Sequence, residues 1–235
     1  MSSQLKSSPT RSNGISVVIP VYLNGDTLLE LAERLLKTLE HFQVSVEIIF
    51  VDDASPDGSA AVISALRNQF PEIKSVEMKN NGGQQKALRA GLRDARGDVV
   101  AVMDADLQDP PEAVADLYRA LKSGNNEAIF AYRTEHYQSI HRMISSRMFK
   151  WLVNKMVGLP RGTGCFLIMN RIMLADVLSF ETNRFYLPGL IAKTNHPIGT
   201  VPLQRAKRTS GKSAYDSSMR LNVAISNIRC LLERD

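Results

Sequence analysis

Two carboxylates spaced two residues apart, Asp104 and Asp106, follow directly on a short apolar run, Val99 to Met103. The run is rich in β-branched residues and is bounded by turn formers, which predicts a fully buried strand. A buried strand that runs straight into acidic residues places them at its exposed end. Hard cations such as Mg²⁺ and Mn²⁺ take oxygen ligands and often bind one or two carboxylates together with substrate phosphates. The pair therefore predicts a divalent-cation site, although a lone Asp-x-Asp also occurs in solvated turns.

Two other predicted strands carry comparable residues at their ends. The apolar run from Val46 to Val51 leads into Asp52 and Asp53, and the turn-forming residues Ser55 to Gly58 follow. A first strand is predicted over Gly14 to Tyr22, where its proline should stop it. Each of the three strands therefore ends in residues that could contact a polar ligand.

The segments between these strands have apolar residues at helical spacing, over residues 27–42, 59–70 and 84–95. Strands that alternate with helices of this length imply a parallel sheet with right-handed crossovers. Ligands of such sheets lie beyond the carboxyl ends of the strands. We therefore expect the three strand ends to meet in one site.

A glycine-rich turn, Gly82 to Lys86, opens the third of these helices. The start of a helix can bind a phosphate or a sugar hydroxyl through backbone N–H groups. The turn lacks the spacing of a Walker loop or of a dinucleotide fingerprint, so it is weak evidence for those cofactors.

Three segments of the chain resemble family 2 glycosyltransferases with the GT-A fold. They are Pro20 to Tyr22, Val51 to Gly58 and Met103 to Glu112, and the third is the most specific. Within that family the chain is most similar to polyprenyl- and dolichyl-phosphate sugar synthases. The resemblance extends over residues 15–215, because Arg205 to Tyr215 is similar to a basic loop containing Gly and Ser late in the family.

The resemblance implies an α/β fold of the GT-A (Rossmann-like) type. Its mostly parallel sheet would be flanked by helices and followed by a basic, partly helical C-terminal part. We expect a flexible tail over residues 1–13, the glycosyltransferase domain over residues 14–215 and an amphipathic helix over residues 216–235.

The resemblance further implies a metal-dependent, inverting transfer of a sugar from a UDP- or GDP-linked donor to a polyprenyl phosphate, with Mg²⁺ or Mn²⁺ as cofactor. The divalent cation would be held by Asp106, with help from Asp104 and Gln108. The residues expected to carry catalysis are Asp104, Asp106, Arg205 and Arg208. Those expected to bind the nucleotide sugar are Pro20, Tyr22, Asn24, Asp52, Asp53, Ser55, Lys86, Asp104 and Arg133. Those expected to bind the acceptor phosphate are Arg133, Arg208 and Ser213.

The chain departs from the family pattern near the expected acceptor site. Relatives usually carry Asp-x-Gly-Asp-Phe-Arg where this chain reads Gly162 to Leu167, and no acidic residue lies between Glu135 and Asp176. A hydroxyl acceptor needs a general base, whereas a phosphate acceptor is already ionised at neutral pH. The departure therefore fits a polyprenyl phosphate, and it leaves open a different, non-lipid acceptor or a non-catalytic subunit that binds nucleotide sugars.

A second departure lies at the first strand end. Relatives usually have Asn-Glu after the Pro-x-Tyr segment, and this chain has Leu23 and Asn24 there. We therefore expect one contact with the nucleotide to be altered.

The charge of the chain is distributed unevenly. Residues 1–132 hold 13 Lys and Arg against 18 Asp and Glu, whereas residues 133–235 hold 16 against 6, within a net charge of +5. Such asymmetry indicates a polyanionic partner. Aromatic residues make up only 6% of the chain and no helix-turn-helix or zinc pattern is present, so nucleic acid is disfavoured as that partner.

An amphipathic stretch, Ser139 to Val157, carries the single tryptophan between Lys and Arg residues. This composition suits a helix in an anionic membrane interface and equally a helix packed on a sheet with its cations extended to water. The apolar stripe from Leu221 to Leu232 favours a core- or partner-facing helix instead. No run approaches the roughly 18 apolar residues that span a bilayer, and the Ser- and Lys-containing start is unlike a signal peptide.

The two cysteines, Cys165 and Cys230, show no metal-binding spacing. Their scarcity favours a reducing, cytoplasmic setting. We therefore expect a cytoplasmic protein that contacts the membrane peripherally. The sequence leaves the nucleotide base, the sugar and homo-oligomer formation open.

Overall fold

The computed structural model describes residues 14–133, 159, 163–182 and 184–203. The strands are β1 Gly14–Val21, β2 Ser45–Asp52, β3 Ile73–Glu77, β4 Val99–Val102, β5 Ala128–Arg133, β6 Thr163–Asn170 and β7 Ile198–Leu203. The helices are α1 Leu28–Leu39, α2 Ser59–Gln69, α3 Gln84–Asp94, α4 Ala113–Ser123, α5 Arg171–Ser179 and α6 Leu187–Lys193. Short 3₁₀ turns at Gly25–Thr27 and Glu40–Phe42 precede and follow α1.

The strands form one seven-stranded sheet in the order β3-β2-β1-β4-β6-β5-β7. Strands β1 to β4 pair in parallel, as do β5 and β7, whereas β6 is antiparallel to both of its neighbours. The expectation of a mostly parallel α/β sheet is therefore confirmed. Because β6 runs in the opposite direction, its first residues lie at the edge where the six other strands end.

The sheet is covered by helices on both faces. Side chains alternate along each central strand, so that Val17 and Ile19 of β1 face one hydrophobic cluster and Val18 faces the other. The first cluster includes buried residues of α1, α2 and α4, and the second includes those of α3, α5 and α6. A strand buried on both faces needs a continuous apolar sequence, which explains the apolar runs that predicted β1, β2 and β4.

Helix α3 approaches the sheet closely because Gly91 lies at the contact. A Cβ atom on Gly91 would stand 2.6 Å from both Val18 Cγ1 and Val51 Cγ2. Any larger residue there would push α3 away from β1 and β2. The close contact fixes the start of α3 relative to the carboxyl edge of the sheet.

At the opposite, amino edge of the sheet, a buried carboxylate joins several strands. Glu47 of β2 accepts hydrogen bonds from Ser16 Oγ and from the Arg96 backbone N–H, each at 2.5 Å, and pairs with Lys74 of β3. Burial raises the pKa of Glu47, but its bonds to Lys74, Ser16 and Arg96 outweigh burial and leave this pKa below its usual value. The group stabilises the sheet at the edge away from the predicted site.

Most predicted element boundaries agree with the structure to within a few residues. Strand β1 continues through Pro20 and ends one residue later, at Val21. Predicted features at residues 1–13, 139–157 and 216–235 lie outside the described residues. Within the described ranges, no helix is both long and apolar enough to span a membrane.

Candidate active site

The loops that follow β1, β2 and β4 lie side by side at the carboxyl edge, as the strand order requires. The Thr27 hydroxyl, at the start of α1, donates to the carbonyl oxygen of Ala105 at 2.6 Å. Ser55 Oγ, after β2, accepts a hydrogen bond from the Leu23 backbone N–H at 3.3 Å. Direct hydrogen bonds therefore join the three loops into one surface, as the sequence predicted.

A second contact between the first two loops involves Asp57. Its Oδ2 accepts from the Gly25 backbone N–H at 3.2 Å, and its Oδ1 accepts from the Ser59 hydroxyl at 2.6 Å. Burial raises the pKa of the Asp57 carboxyl, but the bonds from Ser59 and Gly25 outweigh burial and lower this pKa. The ionised carboxylate therefore fixes the β1–α1 loop against the start of α2.

The left-handed backbone region is occupied by one non-glycine residue in each of the three loops. Leu23, Ala54 and Leu107 have φ of 60°, 55° and 55°. Residues with a Cβ adopt such angles rarely, and strained backbone of this kind clusters at functional sites when surrounding contacts hold it in place. The bond from the Leu23 N–H to Ser55 supplies such a contact for the first of these residues.

The two carboxylates after β4 are partly exposed, whereas Ala105 between them is buried. Asp106 Oδ1 accepts a hydrogen bond from the Gln108 backbone N–H at 3.1 Å. Asp104 Oδ1 accepts one from the Gln84 side-chain amide at 2.6 Å. The carboxylates are thus held by local hydrogen bonds and remain partly open to solvent, as a ligand site at a strand end requires.

Asp52 and Asp53 are buried at the end of β2, with 5% and 2% of their surfaces exposed. Asp53 accepts hydrogen bonds from the Gly82 and Gly83 backbone N–H groups, at 2.7 and 2.8 Å. Asp52 Oδ1 accepts from the Ser55 backbone N–H at 3.1 Å. These aspartates therefore hold the backbone of two loops, a task that the sequence analysis missed, and their contact with a nucleotide stays a prediction.

The residues predicted to wall a nucleotide differ in exposure. Tyr22 is 38% exposed, whereas Pro20 is buried inside β1, in register with Val51. Asn24 is half-buried, and Lys86 is exposed on the first turn of α3. Of the predicted pair, Tyr22 is thus the exposed residue, and its contact with a nucleotide stays a prediction.

The carboxylate oxygens at this edge suit a hard cation that also binds the phosphate oxygens of a substrate. Asp104 and Asp106 supply oxygen ligands, and the part of the chain that the structure describes contains no cluster of three or more His, Cys, Asp or Glu residues able to hold a metal ion. A cation bound here would take its remaining ligands from phosphate oxygens and water, as Mg²⁺ commonly does. The carboxylates therefore fit Mg²⁺ or Mn²⁺ accompanied by a diphosphate.

The start of β6 borders the same edge. Val102 of β4 is in register with Leu167, so the residues before Leu167 lie beyond the end of β4, on the side of Asp104. Cys165 is half-buried there, and the Gln85 amide nitrogen lies 3.5 Å from its sulfur. The segment 164–169 contains no carboxylate, and Cys165 stands at one of the two positions where the family resemblance implies an acid.

The arginines predicted to bind phosphate lie at or after the ends of β5 and β7, which finish at this edge. Arg133 is the last residue of β5 and is in register with Leu203, the last residue of β7. The predicted Arg205, Arg208 and Ser213 come shortly after β7 and lie outside the described residues.

Comparison of the sequence with known families identifies one family over most of the chain. The model of glycosyl transferase family 2 matches residues 16–180. The undecaprenyl-phosphate 4-deoxy-4-formamido-L-arabinose transferase of Sodalis glossinidius is 30% identical over 226 residues, which cover 95% of this chain and 69% of that protein. The transferase of the same name from Yersinia enterocolitica is 31% identical, with coverages of 92% and 67%. The chain therefore spans about two thirds of the length of these relatives.

Solved structures share the fold at low sequence identity. A mannosyltransferase of Pyrobaculum calidifontis, in complex with GDP-Man and Mn²⁺, has a TM-score of 0.67 and 18% identity, covering 97% of this chain and 66% of that one. Glucosyl-3-phosphoglycerate synthase of Mycobacterium tuberculosis, with Mn²⁺, UDP-glucose and phosphoglyceric acid, has a TM-score of 0.63 and 18% identity, covering 95% and 81%. These similarities agree with the GT-A fold expected from the sequence.

Proposed function

We propose that this chain, which belongs to glycosyl transferase family 2, moves a sugar from a nucleotide diphosphate sugar to a lipid-linked phosphate with inversion at the anomeric carbon. One observation carries the proposal. The loops after β1, β2 and β4 are hydrogen-bonded into a single surface that presents Tyr22, Asp104 and Asp106. Such a surface can bind a nucleotide and the diphosphate attached to it.

The proposed reaction would build up negative charge on the leaving group at this surface. An acceptor oxygen attacks the anomeric carbon while the bond from that carbon to the diphosphate oxygen breaks, and the nucleoside diphosphate leaves with added negative charge. Asp104 and Asp106 would hold Mg²⁺ or Mn²⁺, which when bound stabilises that charge as a Lewis acid. The Mn²⁺ present in the two structural neighbours supports a divalent cation as cofactor.

Tyr22 would contact the nucleotide, and Asp52 and Ser55 would lie beneath it. Gln108, in the loop between β4 and α4, would help to hold the cation, and Lys86, on the first turn of α3, would approach the diphosphate. Because the structural neighbours were solved with GDP-Man and with UDP-glucose, the base of the donor would be guanine or uracil.

The acceptor assignment is supported by chemistry and by the relatives. Cys165, at the start of β6, stands at a position where the family resemblance implies a carboxylate, and a hydroxyl acceptor would need such a base. A phosphate acceptor needs no such base, and the similar transferases of Sodalis and Yersinia are named for undecaprenyl phosphate. The segment 133–235, which carries an excess of Lys and Arg, would bind this anionic acceptor at an anionic membrane surface. Arg133, Arg208 and Ser213 would contact the acceptor phosphate.

The test begins with a thermal-shift panel of UDP, GDP and their sugars, each with and without Mn²⁺. A ligand that binds only the folded state at 100 times its Kd adds about 2.7 kcal/mol, or a shift of about 5–10 °C for a chain of this size. We expect one nucleotide to produce this shift only with Mn²⁺. No shift with any member of the panel would contradict the proposed donor.

The acceptor is tested with the donor so identified. Undecaprenyl phosphate and undecaprenol, both in detergent, differ only in the phosphate. We expect transfer to the phosphate and none to the alcohol. Equal transfer to the alcohol, or to a soluble hydroxyl acceptor, would contradict the phosphate assignment and leave the family assignment intact. Donor binding with no transfer to any acceptor would favour a non-catalytic subunit.

A further inference from the structure

We infer that Gln84 is a positioning residue for this reaction, because its side-chain amide sets the orientation of the Asp104 carboxylate at the cation and diphosphate site. The inference rests on the proposed function and names a residue that acts through Asp104. Gln84 Nε2 donates to Asp104 Oδ1 at 2.6 Å, across a sequence separation of 20 residues.

A glutamine amide suits this task for an electrostatic reason. A hydrogen bond to an ionised carboxylate is stronger than one between neutral groups, so it can hold the carboxylate in one orientation. A lysine or arginine at this position would hold it too, but would cancel the negative charge that a divalent cation requires. Gln84 orients Asp104 and leaves its charge in place.

The position of Gln84 is itself fixed from β2. Gln84 is the first residue of α3, and Gly83 before it has φ of 84° and ψ of 157°, a conformation that essentially only glycine adopts. The buried Asp53 carboxylate binds the N–H groups of Gly82 and Gly83 at 2.7 and 2.8 Å. Asp53 therefore fixes the start of α3 and, with it, the backbone position of Gln84.

The other side of the same helical turn is also anchored. Gln85 Oε1 accepts a hydrogen bond from the Leu187 backbone N–H at 3.1 Å, at the start of α6. Helix α3 further contacts the sheet closely through Gly91. Since its first turn is held at several points, Gln84 has little freedom to move away from Asp104. The chain of contacts from Asp53 through Gly83 and Gln84 to Asp104 thus couples the end of β2 to the end of β4.

Gln84→Met tests the inference because methionine has a similar length and volume but cannot donate. The matched control is Gln69→Met, at the exposed end of α2. Calorimetric titration with UDP and with GDP, each in the presence of Mn²⁺, measures the site. We expect Gln84→Met to weaken the preferred diphosphate about tenfold, as the loss of one hydrogen bond to a charged group predicts. Gln69→Met should bind like the wild type, and both variants should keep the wild-type melting temperature to within about 3 °C.

A double-mutant cycle separates an effect through Asp104 from a general loss of structure. In an Asp104→Asn background, Gln84→Met should weaken the affinity less than about twofold further, because its target has already been altered. Equal affinity of wild type and Gln84→Met, or fully additive losses in the cycle, would overturn the inference alone. If the wild type binds neither diphosphate with Mn²⁺, the proposed function fails and the inference falls with it.

Discussion

The Thr27 hydroxyl donates a 2.6 Å hydrogen bond to the carbonyl oxygen of Ala105, which joins the start of α1 to the loop that carries Asp104 and Asp106. Ala105 is 2% exposed, so little water can replace the hydroxyl. The two residues are 78 positions apart in the sequence and belong to loops that follow different strands. The contact therefore makes the geometry of the two carboxylates depend on the β1–α1 loop.

Thr27→Val should destabilise the fold and weaken nucleotide binding together. The valine leaves the buried Ala105 carbonyl without its donor, which costs about 1–3 kcal/mol of unfolding free energy. Urea denaturation measures this cost, and Thr38→Val is the matched control because its hydroxyl donates to the Arg34 carbonyl inside α1. Equal unfolding free energies for the two variants would show that the bond between the loops adds nothing.

Asp106→Asn should abolish Mn²⁺-dependent transfer, and Asp104→Asn should reduce it less severely, while both variants stay folded. Removing a charge that holds the cation should lower kcat about a hundredfold or more, equivalent to about 2.7 kcal/mol. Both side chains are partly exposed at the strand end and are not part of the core. The exposed Asp116→Asn on α4 serves as the control. Full activity of Asp106→Asn, or of the wild type in excess chelator, would contradict the metal assignment.

Asp53→Asn is expected to lower both stability and nucleotide affinity. From the sequence alone, alanine at Asp52 or Asp53 should weaken nucleotide binding more than it alters stability. Because Asp53 is 2% exposed and binds two backbone N–H groups, one of them will face an amide N–H in the variant. We now expect a loss of about 2–3 kcal/mol of unfolding free energy. Wild-type stability of this variant, measured by denaturation, would show that the Gly82–Gly83 turn does not depend on Asp53.

The contacts of Glu47 with Ser16, Arg96 and Lys74 predict that part of the free energy of unfolding depends on pH. The pKa of Glu47 is lower in the folded protein than its unfolded value of about 4.3. Its contribution is therefore fully present above about pH 4.3 and is lost as the pH falls through the folded pKa. Glu47→Gln should cost about 1–3 kcal/mol at neutral pH and progressively less below pH ~4. Exposed Glu33→Gln should have no such effect. A cost for Glu47→Gln that does not change between pH 7 and pH 3 would contradict the sign.

Binding to anionic vesicles should depend on the basic residues after residue 132. It should fall steeply with salt, because surface attraction decays within a Debye length of about 8 Å at physiological ionic strength. Reversing three cations to glutamate should weaken sedimentation with vesicles about a hundredfold or more, at roughly 1 kcal/mol per cation, and leave nucleotide binding unchanged. The three residues are Arg147, Lys150 and Lys155.

The control for this charge reversal uses exposed lysines of the acidic half. They are Lys37, Lys79 and Lys122. We expect this control variant to bind vesicles more strongly than the Arg147, Lys150 and Lys155 variant at every salt concentration. Indifference of the wild type to anionic vesicles would remove the membrane from the proposal.

Patterns along the chain were enough to predict the sheet and the edge at which the site lies. The short, β-branched run from Val99 to Met103, bounded by turn formers, predicts a buried strand, and the alternation of such runs with amphipathic helices predicts a mostly parallel sheet. Parallel strands end at one edge, so Asp52, Asp53, Asp104 and Asp106 had to come together there. These features follow from periodicity along the chain, which is a local property.

The contacts that each polar residue makes at that edge could not be predicted from the sequence and became visible in the folded chain. Local sequence cannot distinguish Asp53, buried against Gly82 and Gly83, from Asp106, partly open to solvent, because both follow similar strands. The difference arises from which distant backbone N–H groups reach each carboxylate after folding. The bonds from Gln84 to Asp104 and from Thr27 to Ala105 have the same origin, since they join residues 20 and 78 positions apart that are brought close only by the packing of α3 and α1 on the sheet.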